Sequence, residues 1–468
     1  MLSARWVTAT LASYERYPDA ARRKLQPAYR RREPDKTVLH QLVQKHFESC
    51  LERARDRSDH GFGYPAFVER EFKAFLKCGL LRHGFIRVRC ADCPRERLVA
   101  FSCKRRGFCP SCTARRMANT AAHLVDNVLP EVHYRQWVLS FPKRVRFALA
   151  CDHELLSKVL RACLNKLFSW QKRAARKQGI PAPECGAVTF CQRFGSLLNL
   201  NCHFHSLLPD GVFTDTGDGV AFLSIPPPSP DDIRRLTEQI AKATETILAR
   251  HHQAGHSDDQ PTDILDQERA QATHTNRFAT KAAAPTKPHK RAHFYFGYSL
   301  HAERTVESDD RDALERLCRY GARAPIANSR LSINVDGDAV LELKRPLADG
   351  RTRLTFAPIE LLRKLATLIP PPKKNLTRYH GVFAPAHHLR KLIVAGTTSQ
   401  QSSQKTTRRL PWAALLRRVF AIDILKCDHC AGTMNIIAII PASQIADQIL
   451  DHLGLEMRSN PTRPRGPP

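Results

Sequence analysis

Two pairs of cysteines constrain folding more than any other feature of the chain. Cys90 and Cys93 form one pair and Cys109 and Cys112 form the next, with two residues inside each pair and 15 between the pairs. Each pair offers two thiolates from one tight turn, and two pairs complete a tetrahedral zinc site. The spacing therefore predicts a structural Zn²⁺ site. The competing interpretation is a redox role for each cysteine pair. The presence of two pairs separated by a short loop favours zinc binding over a redox role.

The surroundings of these pairs leave two questions open. Further potential ligands lie nearby, so a different ligand set or a second site stays possible: Cys78, His83 and Cys103. The loop between the pairs carries Lys104, Arg105 and Arg106. Because a bound metal would hold this loop in one conformation, we expect these basic residues to contact DNA.

A third cysteine pair, Cys427 and Cys430, lies near the C-terminus. It supplies two thiolates, and His429 is a further potential ligand. A closed zinc site needs four ligands, so this segment alone offers too few. It could pair with distant ligands, bind a metal between subunits, or bind none.

The charge of the chain points to nucleic acid. The 468 residues carry a net charge of +29, and the basic residues form many short clusters rather than one patch. Distributed positive charge fits a long path for DNA. No stretch is apolar enough to cross a membrane, and the N-terminus lacks a secretory signal pattern. We therefore expect a cytoplasmic protein with reduced cysteines and no membrane partner.

His203 and His205 flank a phenylalanine in a run that alternates polar and apolar residues. If this run is a strand, both imidazoles lie on one face of the sheet and can hold a divalent cation between them. Such a cation polarises a bound phosphate. With 21 histidines in the chain, however, one such triplet is also expected by chance.

Hydrophobic periodicity predicts an α+β fold with a small zinc-binding domain before the main sheet. The predicted strands are 136–141, 187–194, 197–208, 294–300, 330–335 and 339–344. The predicted helices are 121–128, 153–178, 231–252, 309–323 and 358–369. The predicted domains are a basic arm (1–37), a zinc-binding DNA-contact domain (38–134), a domain that contains the histidine run (135–395) with an insertion or linker at 253–290, a linker (396–410), a small C-terminal module (411–455) and a tail (456–468).

Several separated motifs give the chain a family resemblance over about residues 35–455. They are the runs Phe101–Cys112, Arg135–Pro142, Leu198–His205, Arg378–Pro385 and Ile422–Cys427. Together they resemble rolling-circle insertion-sequence transposases of the common-region class. These are HUH-type nucleases, named for paired histidines around a hydrophobic residue, and they carry an N-terminal zinc-binding domain.

The resemblance implies an HUH-endonuclease-like antiparallel sheet with packed helices and a defined chemistry. It implies that the domain at 135–395 is an HUH nuclease domain. His203 and His205, with a third polar ligand, would hold Mg²⁺ or Mn²⁺ on the scissile phosphate of single-stranded DNA. Gln192 on the preceding strand is the first choice for that ligand, with Asn199 and Asn201 as alternatives. Imidazole alone would equally suit Zn²⁺, so the preference for Mg²⁺ or Mn²⁺ rests on the resemblance.

The resemblance also implies a tyrosine nucleophile that leaves a 5′-phosphotyrosine link and a free 3′-OH. Tyr320 matches the family's tyrosine helix, and Arg316 occupies the position where some members carry a second tyrosine, so the chain looks like a single-tyrosine version. The rival nucleophile is Tyr379, whose surroundings suggest a turn, and His301 is a further residue near the site. The residues expected to contact DNA are Lys104, Arg105, Arg106, Arg115, Arg116, Arg319 and Arg323.

The resemblance thus predicts a bacterial transposase, associated with the nucleoid, that nicks and rejoins DNA at the ends of its element and at its target. The chain has no phosphate-binding loop of the Gly-x4-Gly-Lys-Ser/Thr type, so unwinding and replication are expected from host helicase and replication factors. Two alternatives remain. A plasmid relaxase or replication initiator would use the same chemistry, although the double cysteine pair disfavours it. A non-catalytic zinc-dependent DNA-binding protein would bind DNA without cleavage.

Overall fold

The computed structural model describes residues 29, 31–254, 263–274, 291–347, 349–395, 411–420 and 422–455. The helices are α1 (Val38–Asp56), α2 (Ala66–Leu76), α3 (Pro110–Asn127), α4 (Lys143–Cys151), α5 (His153–Lys177), α6 (Pro230–Gln253), α7 (Ile264–His274), α8 (Arg311–Gly321), α9 (Pro358–Leu368), α10 (Arg390–Ala395), α11 (Trp412–Phe420) and α12 (Gln444–His452). The strands are β1 (Gly84–Cys90), β2 (Glu96–Ala100), β3 (Tyr134–Ser140), β4 (Gly186–Phe194), β5 (Leu200–Pro209), β6 (Gly211–Asp215), β7 (Val220–Ser224), β8 (Ala292–Tyr295), β9 (Tyr298–His301), β10 (Thr305–Val306), β11 (Leu331–Ile333), β12 (Ala339–Glu342), β13 (Arg353–Phe356), β14 (Thr377–Gly381) and β15 (Met434–Pro441).

The chain divides into two compact units. The first contains residues 1–44, 70–105 and 410–468, and the second contains residues 45–69 and 106–409. Helices and antiparallel sheets occur in both, so the predicted α+β class is confirmed. No helix among the described residues is long and apolar enough to span a membrane.

The first unit is built on a three-stranded antiparallel sheet in the order β15-β1-β2. Residue pairs run along β1 and β15 from Gly84↔Pro441 to Cys90↔Met434. A small core of Phe85, Ile440 and Leu450 packs α12 against this sheet. The segment predicted as a separate C-terminal module therefore contributes a strand to the sheet formed by residues 84–100. Sequence periodicity could not show this, because strand pairing depends on contacts between distant parts of the chain.

The second unit is built on a larger antiparallel sheet in the order β14-β4-β5-β3-β9-β8, with β10 paired to β3. β4 is buried along its whole length and β5 along almost all of it, which shows that both faces of the sheet are covered. One face packs on a core that includes Leu124 of α3 and Leu317 of α8. On the other face, the ring of Trp137 packs against Trp170 of α5. In the strand order, β5 lies near the middle of the sheet, between β4 and β3.

Most predicted elements of the second unit agree with the structure to within a few residues, including the strands at β3, β4 and β5 and the helix α8. Three differ. The predicted helix 121–128 is the last part of α3, which begins at Pro110. The predicted strand 294–300 is a hairpin of β8 and β9, turned at Phe296 and Gly297, which both have positive φ. The predicted insertion contains α7.

Several predicted segments lie wholly or largely outside the described residues. These are most of the basic arm (1–37), parts of the insertion (255–262 and 275–290), the linker 396–410 and the tail 456–468.

Candidate functional site

Strand β5 presents His203 and His205 on the same face of the central sheet. Their ring centroids lie 4.8 Å apart. On the neighbouring strand β4, Gln192 pairs with His203 and Phe190 pairs with His205. Directly paired residues point to the same face, so the two histidines and Gln192 form one cluster. The prediction that the histidines share a face is confirmed.

Hydrogen bonds orient both imidazole rings. Nδ1–H of His203 donates to the carbonyl oxygen of Asn201 at 2.7 Å, which leaves the lone pair on Nε2. The side-chain amide of Gln136 lies 3.2 Å from Nδ1 of His205. Nε2 of His205 is buried and has no hydrogen-bond partner among the described residues. His203, with Nδ1 donating and Nε2 unprotonated, has the usual arrangement of a metal ligand. The amide nitrogen of Gln136 donates to Nδ1 of His205, which places the proton of that ring on Nε2. A 180° rotation of the Gln136 amide would let Nδ1 donate instead and would leave Nε2 free for a metal.

Burial keeps both imidazoles neutral. Burial, the largest cause, and the positive charge of Arg323 lower the pKa of His203 to about 4 and that of His205 to about 3. Desolvation disfavours the charged form of any buried histidine. At neutral pH the rings therefore have the unprotonated nitrogen that metal binding requires.

Gln192 connects the histidines to the end of helix α8. Its Nε2 donates to the carbonyl oxygens of Tyr320, at 2.9 Å, and Gly321, at 2.8 Å. Its Oε1 is buried without a hydrogen-bond partner in the described parts of the chain. The same holds for Oδ1 of Asn201. Two imidazoles and an amide oxygen suit a divalent cation. Gln192 is paired with His203, and its oxygen is without a partner among the described residues while its amide nitrogen is occupied.

Tyr320 lies at the end of α8, beside the histidines. Its ring meets that of His205 edge to face, with 5.5 Å between the centroids. Cζ of Arg323 lies 4.6 Å from the centroid of the Tyr320 ring. The side chain is 40% exposed, so a substrate can reach it. The end of α8 can lie this close to strand β4 because residue 321 is glycine. A Cβ added at Gly321 would lie 2.4 Å from Cδ2 of Phe190.

The alternative residues lie farther from the histidines. Tyr379 is on strand β14 rather than in the expected turn, and it pairs with Val188 of β4. Strand β14 is two strands from β5, which corresponds to about 10 Å. His301 is two strands away on the other side and packs against the ring of Phe294. Of the two tyrosines considered, the structure brings Tyr320 to the histidines.

A basic cleft of about 970 Å³ opens beside Gln192 and the end of α8. The cationic residues that line it are Arg106, Arg116, Arg193, Arg323, Lys373, Lys374 and Arg378. Nη1 of Arg106 donates to the carbonyl oxygen of Lys374 at 2.5 Å. Arg106, Arg116 and Arg323 were expected to contact DNA. The contributions of Arg193 and Arg378 were missed, because they depend on the register of β4 and β14.

The remaining basic residues expected at DNA have varied surroundings. Arg115 is exposed on α3. Arg319 forms an ion pair with Glu315 on its own helix. Lys104 and Arg105 belong to the first unit, where Lys104 is exposed and has a positive φ of 54°.

The structure does not group the zinc ligands in the way that their spacing along the sequence predicted. Cys90 and Cys93 lie with Cys427 and Cys430, and the four sulfur atoms are all within 4.8 Å of one another. Cys109 and Cys112 belong to the second unit, where they lie at the start of α3. The predicted set of Cys90, Cys93, Cys109 and Cys112 is therefore not one cluster. Spacing along the sequence suggested that neighbouring cysteine pairs share a metal. The pairing of β1 with β15 instead brings Cys90 and Cys93 beside Cys427 and Cys430.

Two segments of the chain match models of known protein families. Residues 42–141 match a model described as a transposase zinc-binding domain. Residues 186–391, which contain Gln192, both histidines and both tyrosines, match the model of a transposase family. No curated protein and no solved structure gave a match. The chain therefore belongs to the insertion-sequence transposases that combine these two domains.

Proposed function

We propose that this transposase nicks and rejoins single-stranded DNA by tyrosine transesterification, with Tyr320 as nucleophile. The observation that carries the proposal is the contact of the Tyr320 ring with His205, in a cluster that also contains His203 and Gln192. A nucleophile, two neutral imidazoles and a cationic side chain thus meet at one partly exposed position.

We propose His203, His205 and Gln192 as ligands of Mg²⁺ or Mn²⁺. When bound, the cation would polarise the scissile phosphate and stabilise the charge of the transition state. Asn201 is the alternative source of the amide oxygen, because its Oδ1 is also buried without a partner among the described residues.

In the proposed reaction, Oη of Tyr320 releases its proton to solvent and attacks the phosphorus of one phosphodiester. The bond from phosphorus to the 3′ oxygen breaks, the phosphotyrosine bond forms on the 5′ side, and the 3′ oxygen takes up a proton. The guanidinium of Arg323 lies beside the ring and would stabilise the developing phenolate charge. Rejoining reverses these steps with a different 3′-OH, so the energy of the phosphodiester is retained and no ATP is consumed.

The basic cleft is the proposed path for the DNA strand. Arg116 and Arg378 line it, and it reaches Arg323 at the end of α8. Cationic side chains along a groove bind the phosphates of a single strand with little sequence preference. Host replication and helicase factors are the proposed partners for unwinding and copying, and the nucleoid is the proposed location.

The test is to incubate the full-length protein with labelled single-stranded DNA from the element ends and Mn²⁺, and to separate products on a denaturing gel. We expect a covalent protein–DNA band that EDTA, His203→Ala or Tyr320→Phe abolishes. Tyr379→Phe is the matched control and should keep the band. A band that survives Tyr320→Phe but is lost in Tyr379→Phe would overturn the assignment. Tight binding without any band would favour the non-catalytic alternative.

A further inference from the structure

The C-terminal cysteine pair, Cys427 and Cys430, lies outside both family matches, which end at residues 141 and 391. In the structure it meets Cys90 and Cys93 within the first unit. Sγ of Cys90 lies 3.4 Å from Sγ of Cys430, and Sγ of Cys93 lies 3.6 Å from Sγ of Cys427. His429, the other ligand considered from the sequence, is not part of this group.

These distances fit a metal site. Four thiolates around Zn²⁺, with bonds of about 2.3 Å, have their sulfur atoms about 3.8 Å apart. A disulfide would bring two sulfur atoms to about 2.05 Å, so the observed separations do not correspond to disulfides.

The backbone of both pairs is arranged around the sulfur atoms. The amide of Asp92 donates to Sγ of Cys90 at 3.5 Å, and the amide of His429 donates to Sγ of Cys427 at 3.4 Å. Each pair therefore has an amide directed at the sulfur of its first cysteine, which stabilises a thiolate. Two independent turns thus present their thiolates in the same manner.

Close packing holds the two turns together. A Cβ added at Gly432 would lie 3.0 Å from Sγ of Cys90, so the second turn approaches the first through a glycine. Nη2 of Arg97 on β2 forms an ion pair of 2.9 Å with Asp428. The adjoining backbone is also fixed, because the amide of Ala91 donates to the carbonyl oxygen of Thr433 at 2.9 Å.

We propose that Cys90, Cys93, Cys427 and Cys430 bind one Zn²⁺ in a closed, structural site. This site joins the C-terminal strand β15 to the β1–β2 hairpin, across 340 residues of sequence. It does not depend on the nuclease mechanism.

The test measures zinc per chain in the full-length protein by mass spectrometry. We expect the double variant Cys427→Ser/Cys430→Ser to lose one equivalent of zinc, and Cys90→Ser/Cys93→Ser to lose one equivalent as well. The quadruple variant should also lose only one, because all four residues serve a single ion. Cys151→Ser, which changes a cysteine outside this group, is the control and should lose none. Unchanged zinc in either double variant, or two equivalents lost in the quadruple variant, would overturn the proposal.

A second variant keeps the proposal testable if the serine variants fail to fold. Cys430→His supplies an imidazole ligand, so metal binding and folding should persist. With Co²⁺ in place of zinc, its absorption bands should shift to shorter wavelength relative to the parent protein, because one thiolate is replaced by nitrogen. A spectrum identical to that of the parent protein would show that residue 430 is not a ligand.

Discussion

Arg323 has two aromatic neighbours, since its guanidinium lies 4.6 Å from the Tyr320 ring centroid and 5.3 Å from that of Phe194. A cation next to a phenol stabilises the phenolate more than the neutral ring. We therefore predict that Arg323→Ala slows formation of the covalent adduct by about tenfold, or about 1.4 kcal/mol. Single-turnover rates at saturating DNA provide the measurement.

Arg316→Ala is the matched control for this prediction. Arg316 is on the same helix, its side chain is 63% exposed, and its nearest carboxylate, on Asp310, is 3.8 Å away. It should leave the single-turnover rate within about twofold. Equal slowing by both variants would indicate a general charge effect and would argue against a local role of Arg323.

Gln192 has two separable roles, because its nitrogen bonds to the end of α8 while its oxygen is without a partner among the described residues. We predict that Gln192→Ala and Gln192→Glu each lower the free energy of unfolding by about 1–3 kcal/mol, since both leave two buried carbonyl oxygens without donors. Gln192→Glu alone should recover stability on addition of Mn²⁺, because a carboxylate is a better ligand. Urea unfolding with and without Mn²⁺ measures both effects. A response to Mn²⁺ that is the same in Ala and Glu variants would count against ligation.

At the residue scale, the sequence predicted the shared face of His203 and His205 because alternation along a strand is a local property. It could not predict that Gln136 lies against His205 or that the oxygen of Gln192 lacks a partner. Those contacts depend on how β3 and β4 are aligned with β5, which is set by packing of the whole sheet.

Among the elements, α8 and β4 are in closest contact at Gly321. We predict that Gly321→Ala lowers the free energy of unfolding by about 1–3 kcal/mol, because the added methyl group overlaps the ring of Phe190. It should also reduce adduct formation, since Tyr320 moves with the helix end. Gly219→Ala is the control, because its nearest neighbour would be Thr216 at 3.9 Å, and it should change stability by less than about 0.5 kcal/mol.

The elements that the sequence predicted well are those with a clear period of their own, such as α5 and the pair β4 and β5. Strand β14 was missed, and its residues were assigned to a turn around Tyr379. Its five residues are all half-buried, so they show no alternation of apolar and polar positions. It is a strand because it pairs with β4, from Thr377↔Phe190 to Gly381↔Gly186.

For the whole molecule, the two proposed kinds of metal site should differ in their response to chelators. We predict that EDTA removes DNA cleavage and that Mn²⁺ restores it, because Gln192 lines the cleft and Tyr320 is partly exposed, which gives an ion at this cluster a route to solvent. Zinc content and the circular dichroism spectrum should stay unchanged in the same sample, because closed thiolate sites release zinc slowly. Loss of zinc and of secondary structure at the EDTA concentration that stops cleavage would contradict this distinction.

The composition of the first unit could not be predicted from the sequence, because its sheet combines residues 84–100 with residues 434–441. The cysteine spacing suggested a short-range site, and the nearest pairs were therefore grouped. Contacts between segments so far apart leave no periodic signal in either one.

The pairing of β1 with β15 also affects when this unit can form during synthesis. Cys90 leaves the ribosome long before Cys430, which follows it by 340 residues. At a synthesis rate of about 5–20 residues per second, β1 waits roughly 20–70 s for its partner strand. During that time its edge and its thiolates are open to chaperones, to other chains and to metal ions. A nascent chain released before residue 427 would lack Cys427, Cys430 and β15, and its first unit would be incomplete. Assembly of the first unit therefore requires that translation has continued past β15.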